Sequence, residues 1–167
     1  MKKESYEKIF DGLEKAGIKP EVLDHAGKLI TFATAALYFL VLIRLCACES
    51  FGEFISLIFV PLVSFVLCSV IRACLHAKRP YEVYGFEPLV AKDTKEKSFP
   101  SRHVFSVFVI ATSIMWVDMG IGTVLLVFGV VLAVLRVLIG VHFPKDVAAG
   151  AAFGIICGMA AGIYTLF

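Results

Sequence analysis

Residues 121–141, IGTVLLVFGVVLAVLRVLIGV, decide the class of this chain. A helix needs about 20 mostly apolar residues to cross a hydrocarbon core roughly 30 Å thick. This run meets that need with one charge, Arg136, near its end. Four other stretches meet it or come close. Residues 29–48 carry only Arg44, close enough to the end to snorkel. Residues 54–75 are interrupted by Pro61 and end in a turn with Arg72, residues 104–119 are short, and residues 147–167 hold no charge at all. Five spanning helices are expected, with the join between the third and fourth marked by Asp118, Gly120 and Gly122.

The composition agrees. The chain is 59% hydrophobic and 18% charged over 167 residues, with a mean hydropathy of +0.88. Soluble domains run at roughly 45–50% apolar and about 25% charged. Disorder, a secreted disulfide scaffold and an ordinary water-soluble enzyme are excluded. A net charge of +2 is too mild for a nucleic-acid partner, which wants a concentrated basic face. The expected fold is all-α: an integral, multi-pass membrane helix bundle over residues 29–167, preceded by a separate segment, 1–28.

In that segment Tyr6, Ile9, Phe10 and Leu13 recur at helical spacing among alternating lysines and acids. The pattern is an amphipathic helix, ended by Gly17, with Pro20 opening the next. Such a helix lies on the membrane surface or packs on the bundle, and both readings stand at this level. No compact apolar run with a cleavage site follows the early lysines, so a signal peptide is not expected. Gly150, Gly154, Gly158 and Gly162 form a stripe that lets another backbone approach closely. The stripe offers a homodimer contact or packing within the bundle, and the second is preferred. Cys46, Cys48, Cys68, Cys74 and Cys157 form no CxxC pair and read as free thiols.

Ionisable residues at membrane depth are costly and therefore mark function. Three clusters stand out: Arg72 with His76, Lys78, Arg79 and Pro80; Pro100 to His103; and Arg136 followed by His142, Pro144, Lys145 and Asp146. Counting crossings brings all three to one membrane face. Arg72, Arg79 and Arg136 would repel one another unless an anion with several oxygens sat between them, and phosphate accepts bidentate arginine bonds. Ser101 reads as the N-cap of a helix whose free N–H groups face the same anion. His103 and His142 supply imidazoles able to attack phosphorus or carry a proton. Asp146, four residues after His142, can hold one ring nitrogen and leave the other free. No standard metal-ligand spacing is present, and no metal or cofactor is expected.

These residues resemble the type 2 phosphatidic acid phosphatase superfamily, which shares its site with the vanadium haloperoxidases. The likeness rests on Arg72, six residues, Arg79-Pro80; Pro100-Ser101-Arg102-His103; and Arg136, five residues, His142, three residues, Asp146. It implies that His142 is the nucleophile forming a phosphohistidine and that Asp146 orients it. It implies that His103 protonates the leaving alcohol and then activates water, while Arg72, Arg79, Arg136 and Ser101 bind phosphate. Three positions depart from the family pattern: Arg72 stands for lysine, Leu135 for the serine before Arg136, and Arg102 for glycine. Arg102 supplies a further cation, suited to a second phosphate.

The expected substrate is a lipid phosphate: a polyprenyl mono- or diphosphate, phosphatidic acid or phosphatidylglycerol phosphate. Its tail stays in the bilayer while the headgroup enters the basic pocket. The small size points to a bacterial enzyme of the cell membrane. Lysine and arginine favour cytoplasmic loops, and Arg44 alone lies near the opposite face, so the site is expected on the cytoplasmic side. The rival readings are a non-catalytic phospholipid-binding or transport protein, which has no need of His103, His142 and Asp146, and a vanadate-dependent haloperoxidase, whose chemistry needs no membrane.

Overall fold

The computed structural model describes residues 1–90 and 95–165, with side chains as far as Ile163. Lys92, Asp93 and Thr94 of the long loop lie outside the described residues. The chain is all-helical among those described. In order the helices are α1 (Lys3–Lys15), α2 (Pro20–Ala47), α3 (Phe51–Leu75), α4 (Pro80–Tyr84), α5 (Arg102–Met115), α6 (Met119–Leu138) and α7 (Pro144–Met159), which runs on into a 3₁₀ turn, Ala160–Thr165.

Four segments are long and apolar enough to cross a membrane: Pro20–Ala47, part of Phe51–Tyr84, Met119–Leu138 and Pro144–Ile163. Their outer faces are exposed and apolar, with Phe32, Phe39 and Ile43 on α2, Phe59 and Val63 on α3, and Val127 and Val134 on α6. A protein in water would hide such surfaces, whereas a bilayer covers them. Pro61 sits inside α3 without ending it. Neighbouring helices in a membrane bundle compensate for the missing donor.

The expected third span differs from the others. At 14 residues, α5 is about 21 Å long at 1.5 Å per residue. It still carries the chain from one end of the bundle to the other. Ser101 N at its start donates to Asp146 O (2.9 Å), and Asp118 beyond its end pairs with Arg44 at 2.8 Å. Its length need not match the bilayer because α2, α3, α6 and α7 surround it. Val104, Phe105, Val107, Phe108, Val109, Ala111 and Ile114 are all buried. Asp118 caps α6 by accepting from Ile121 N at 3.0 Å, which fixes the turn between α5 and α6.

The glycine stripe of α7 packs inside the chain. A Cβ at Gly150 would lie 2.6 Å from Ser101 O, one at Gly154 2.8 Å from Phe105 O, one at Gly158 2.6 Å from Thr112, and one at Gly162 2.4 Å from Trp116. The stripe therefore lets α7 close on α5 and is not free to form a dimer contact. In lipid, helix association depends on this close van der Waals packing.

Two features at the other end of the sequence bear on the expected N-terminal segment. α2 runs unbroken from Pro20, so the helix crosses the expected boundary at residue 28. Its first three turns hold Asp24 and Lys28, paired at 2.7 Å. α1 ends before Gly17, whose φ of +68° is in the left-handed region that glycine tolerates. It packs on the bundle: Tyr6 is buried, with its ring 5.3 Å from Phe86 and 6.3 Å from Phe143.

Candidate active site

The ends of α3, α5, α6 and α7 meet at one end of the bundle. They enclose a cavity of about 420 Å³ lined by Ser69, Arg72, Arg79, Lys97, Arg102, His103, Arg136, Val141 and His142. Six of the eight expected site residues thus border one space, and Asp146 stands directly behind His142. Ser101 is the exception. It occupies the N-cap position of α5, but its side chain makes no capping bond, is fully buried and is not on the cavity wall. The close approach of Gly150 to its carbonyl packs it against α7.

The His142 ring is held from one side. Its Nδ1 lies 3.7 Å from Asp146 Oδ2 and 3.5 Å from Ser98 Oγ. Ser98 donates its hydroxyl proton to that same Asp146 oxygen, which also accepts from Phe143 N at 3.0 Å. Two acceptors facing Nδ1 favour the tautomer protonated there, leaving the Nε2 lone pair for the cavity. Burial pushes the His142 imidazole down to about 4, against the opposing pull of Asp146 and helped by the nearby Arg79 charge. Burial thus favours the neutral form of the ring at neutral pH.

The arginines are anchored in different ways. Arg72 donates through one terminal nitrogen to Pro100 O and through the other to Lys97 O, so it clamps the loop that leads into α5. Arg79 Nη1 donates to Val141 O at 3.3 Å. Arg136 is 4% exposed, and its Nη1 lies 3.9 Å from Asp24 Oδ1. Arg102 is exposed to the cavity, with its guanidinium 5.5 Å from the Phe65 ring centroid, within cation–π range. Cations outnumber acids on this wall, and the space suits a multiply charged anion. Among the described residues no three His, Cys, Asp or Glu side chains cluster to hold a metal ion.

Sequence reasoning missed four contributors. Lys97 reads there as one lysine of a mixed-charge loop, and Ser98 carries no signal beyond its place three residues before Ser101. Asp24 lies in what reads as an extramembrane segment, yet it reaches Arg136. Tyr6 shows only as one residue of an apolar stripe, yet its hydroxyl donates to His142 O at 3.1 Å.

A multi-pass membrane bundle with an arginine-walled cavity and a buried His–Asp pair at one end is the class these observations define. The chain belongs to the PAP2 superfamily, whose profile matches residues 53–166. Its fold is similar to that of LpxE from Aquifex aeolicus, with a TM-score of 0.68 and 26% identity over 84% of this chain and 85% of that one. It is also similar to a transmembrane PAP2-type phosphatidylglycerolphosphate phosphatase from Bacillus subtilis, with a TM-score of 0.64 and 18% identity over 96% and 92% of the two chains. Comparison with curated proteins finds no match.

Proposed function

We propose that this protein is a metal-independent phosphatase that hydrolyses a membrane lipid phosphate or diphosphate through a phosphohistidine. The observation that carries the reading is the shared cavity of His103 and His142, walled by Arg79, Arg102 and Arg136. In the first step His142 Nε2 attacks phosphorus, the P–O bond to the lipid breaks, and His103 gives its proton to the leaving oxygen. In the second, His103 takes a proton from water, the water oxygen attacks phosphorus, and the P–N bond breaks to release inorganic phosphate and free His142. Asp146 holds the Nδ1 proton throughout, and the guanidinium groups balance charge on the equatorial oxygens. Arg72 borders the phosphate while holding the loop. Ser101 contributes through its place at the α5 N-terminus, whose dipole favours an anion.

The lipid tail has a seat on the bilayer side. An apolar groove of about 360 Å³ lies along Tyr38, Ile58, Pro61, Leu62, Phe65 and Ser106. Phe65 belongs to that groove and also to the stack under Arg102. The candidate substrates are polyprenyl mono- and diphosphates, phosphatidic acid and phosphatidylglycerol phosphate, the last being the substrate class named for the Bacillus subtilis neighbour. The lysine and arginine excess at the site end supports a cytoplasmic site. A cysteine placed at Thr94, in a background without the native cysteines, would then react with an impermeant thiol reagent only after the membrane is opened.

The test is phosphate release from a panel of these lipids by the purified protein, with His142→Ala as control. Release by the wild type that disappears in His142→Ala supports the reading. Release that survives the substitution overturns the mechanism, and none from any lipid favours a binding or transport role.

A further inference from the structure

We propose that Tyr6 is a positioning residue of the active site, so that the N-terminal helix α1 is part of the catalytic apparatus. The inference rests on the reading of His142 as nucleophile. The backbone around His142 is held at every polar atom. Its N–H donates to Arg136 O at 3.3 Å. The carbonyl before it, Val141 O, accepts from Arg79 at 3.3 Å. The N–H after it, Phe143 N, donates to Asp146 Oδ2 at 3.0 Å. The remaining atom, His142 O, accepts from the Tyr6 hydroxyl at 3.1 Å. Three of these four bonds come from residues of the cavity or of the His–Asp pair. The fourth comes from a residue outside the stretch, 53–166, that matches the superfamily.

Because Phe143 N and His142 O belong to one peptide unit, Asp146 and Tyr6 grip that plane at opposite edges. A peptide plane fixed at both edges cannot rotate, and His142 Cα, from which the ring projects, is fixed with it. The donor is itself well seated. Tyr6 is 0% exposed, and the rings of Phe10, Tyr84, Phe86 and Phe143 surround it at centroid distances of 5.3 to 6.4 Å. Phe10, one turn along α1, fits against Gly140, where a Cβ would lie 2.8 Å from the ring and where φ is +75°. Burial first, and the Asp146 charge second, raise the Tyr6 hydroxyl well above its ordinary value, so it remains a donor across the working pH range. α1 thus braces the loop 140–143 through Tyr6 and Phe10.

The experiment compares the full-length wild type, Tyr6→Phe and Tyr6→Ala in detergent micelles, on the best substrate of the lipid panel, with His142→Ala alongside. Tyr6→Phe removes only the hydroxyl and keeps the aromatic packing. Losing one neutral hydrogen bond that positions the nucleophile is expected to lower kcat about fivefold to tenfold with little change in KM. The melting temperature of Tyr6→Phe should stay near that of the wild type. Wild-type kcat in Tyr6→Phe, with Tyr6→Ala impaired, would overturn the proposal and reduce Tyr6 to a packing residue. A fall in kcat matched by loss of folded protein in Tyr6→Phe would overturn it too. Activity that persists in His142→Ala would instead defeat the underlying mechanism, a result distinguishable from either.

Discussion

Ser98 and Asp146, far apart in sequence, share one hydrogen bond behind the His142 ring, with Ser98 donating to the oxygen that faces Nδ1. The bond couples the loop before α5 to the start of α7. It gives the carboxylate a fixed orientation before any substrate arrives. Positioned groups of this kind lower the barrier by removing reorganisation at the moment of reaction.

Ser98→Ala should therefore impair turnover. Hydrogen bonds to a charged acceptor are worth about 1.5–3 kcal/mol, so kcat is expected to fall roughly tenfold to a hundredfold. Ser98 is not on the cavity wall, so KM should change little. Steady-state kinetics on one lipid phosphate checks both. A change confined to KM would contradict the assigned role.

Burial holds His142 neutral to about pH 4. A histidine whose folded value is depressed charges only when pH falls through that value, so its neutral form persists at pH 5 to 7 and is lost near 4. NMR of ring-labelled protein, with the signal assigned by its loss in His142→Ala, should show a neutral imidazole at pH 5. A midpoint at 6 or above would contradict the geometry of a dry, buried ring.

Arg102 faces the cavity from the first turn of α5. If it grips a second phosphate, Arg102→Gly should lower kcat/KM for diphosphate lipids by at least about tenfold relative to monophosphates, the scale of one charge-assisted bond. An unchanged ratio of the two would remove Arg102 from the specificity argument.

Gly150 separates the two readings of the glycine stripe. Its hydrogen atoms face Ser101 O, and a methyl group would meet that oxygen at 2.6 Å. Overpacking of this kind costs about 1–3 kcal/mol. Gly150→Ala should lower thermal stability and activity together, because it pushes Asp146 away from α5. A variant that kept both and lost only self-association would contradict the intramolecular packing seen here.

Much of this was legible in the sequence for a physical reason. Apolar runs such as 121–141 must be helical in lipid, since every backbone polar group needs an internal partner. Once the crossings are counted, Arg72, His103 and Arg136 can only meet at one end. The expected N-terminal helix, its end at Gly17 and the start at Pro20 follow from local chemistry and appear as read. What escaped was side-chain pairing across long separations. Nothing local to Tyr6 says that its hydroxyl reaches His142, and nothing local to Asp24 says that it meets Arg136. The shortness of α5 was legible in residues 104–119, but its burial among the other helices, which frees it from matching the bilayer, was not. Ser101 takes the N-cap position that the sequence suggests, while its side chain is buried and not on the cavity wall.

The central claim is that His142 becomes covalently phosphorylated during turnover. Rapid quenching under alkaline conditions, which preserve a phosphohistidine, followed by peptide mass spectrometry tests it most directly. The account predicts phosphate on the peptide containing His142 in the wild type, more of it in His103→Ala if the second step is slowed more than the first, and none in His142→Ala. Wild-type turnover with no phosphorylated His142, or turnover preserved in His142→Ala, would contradict it.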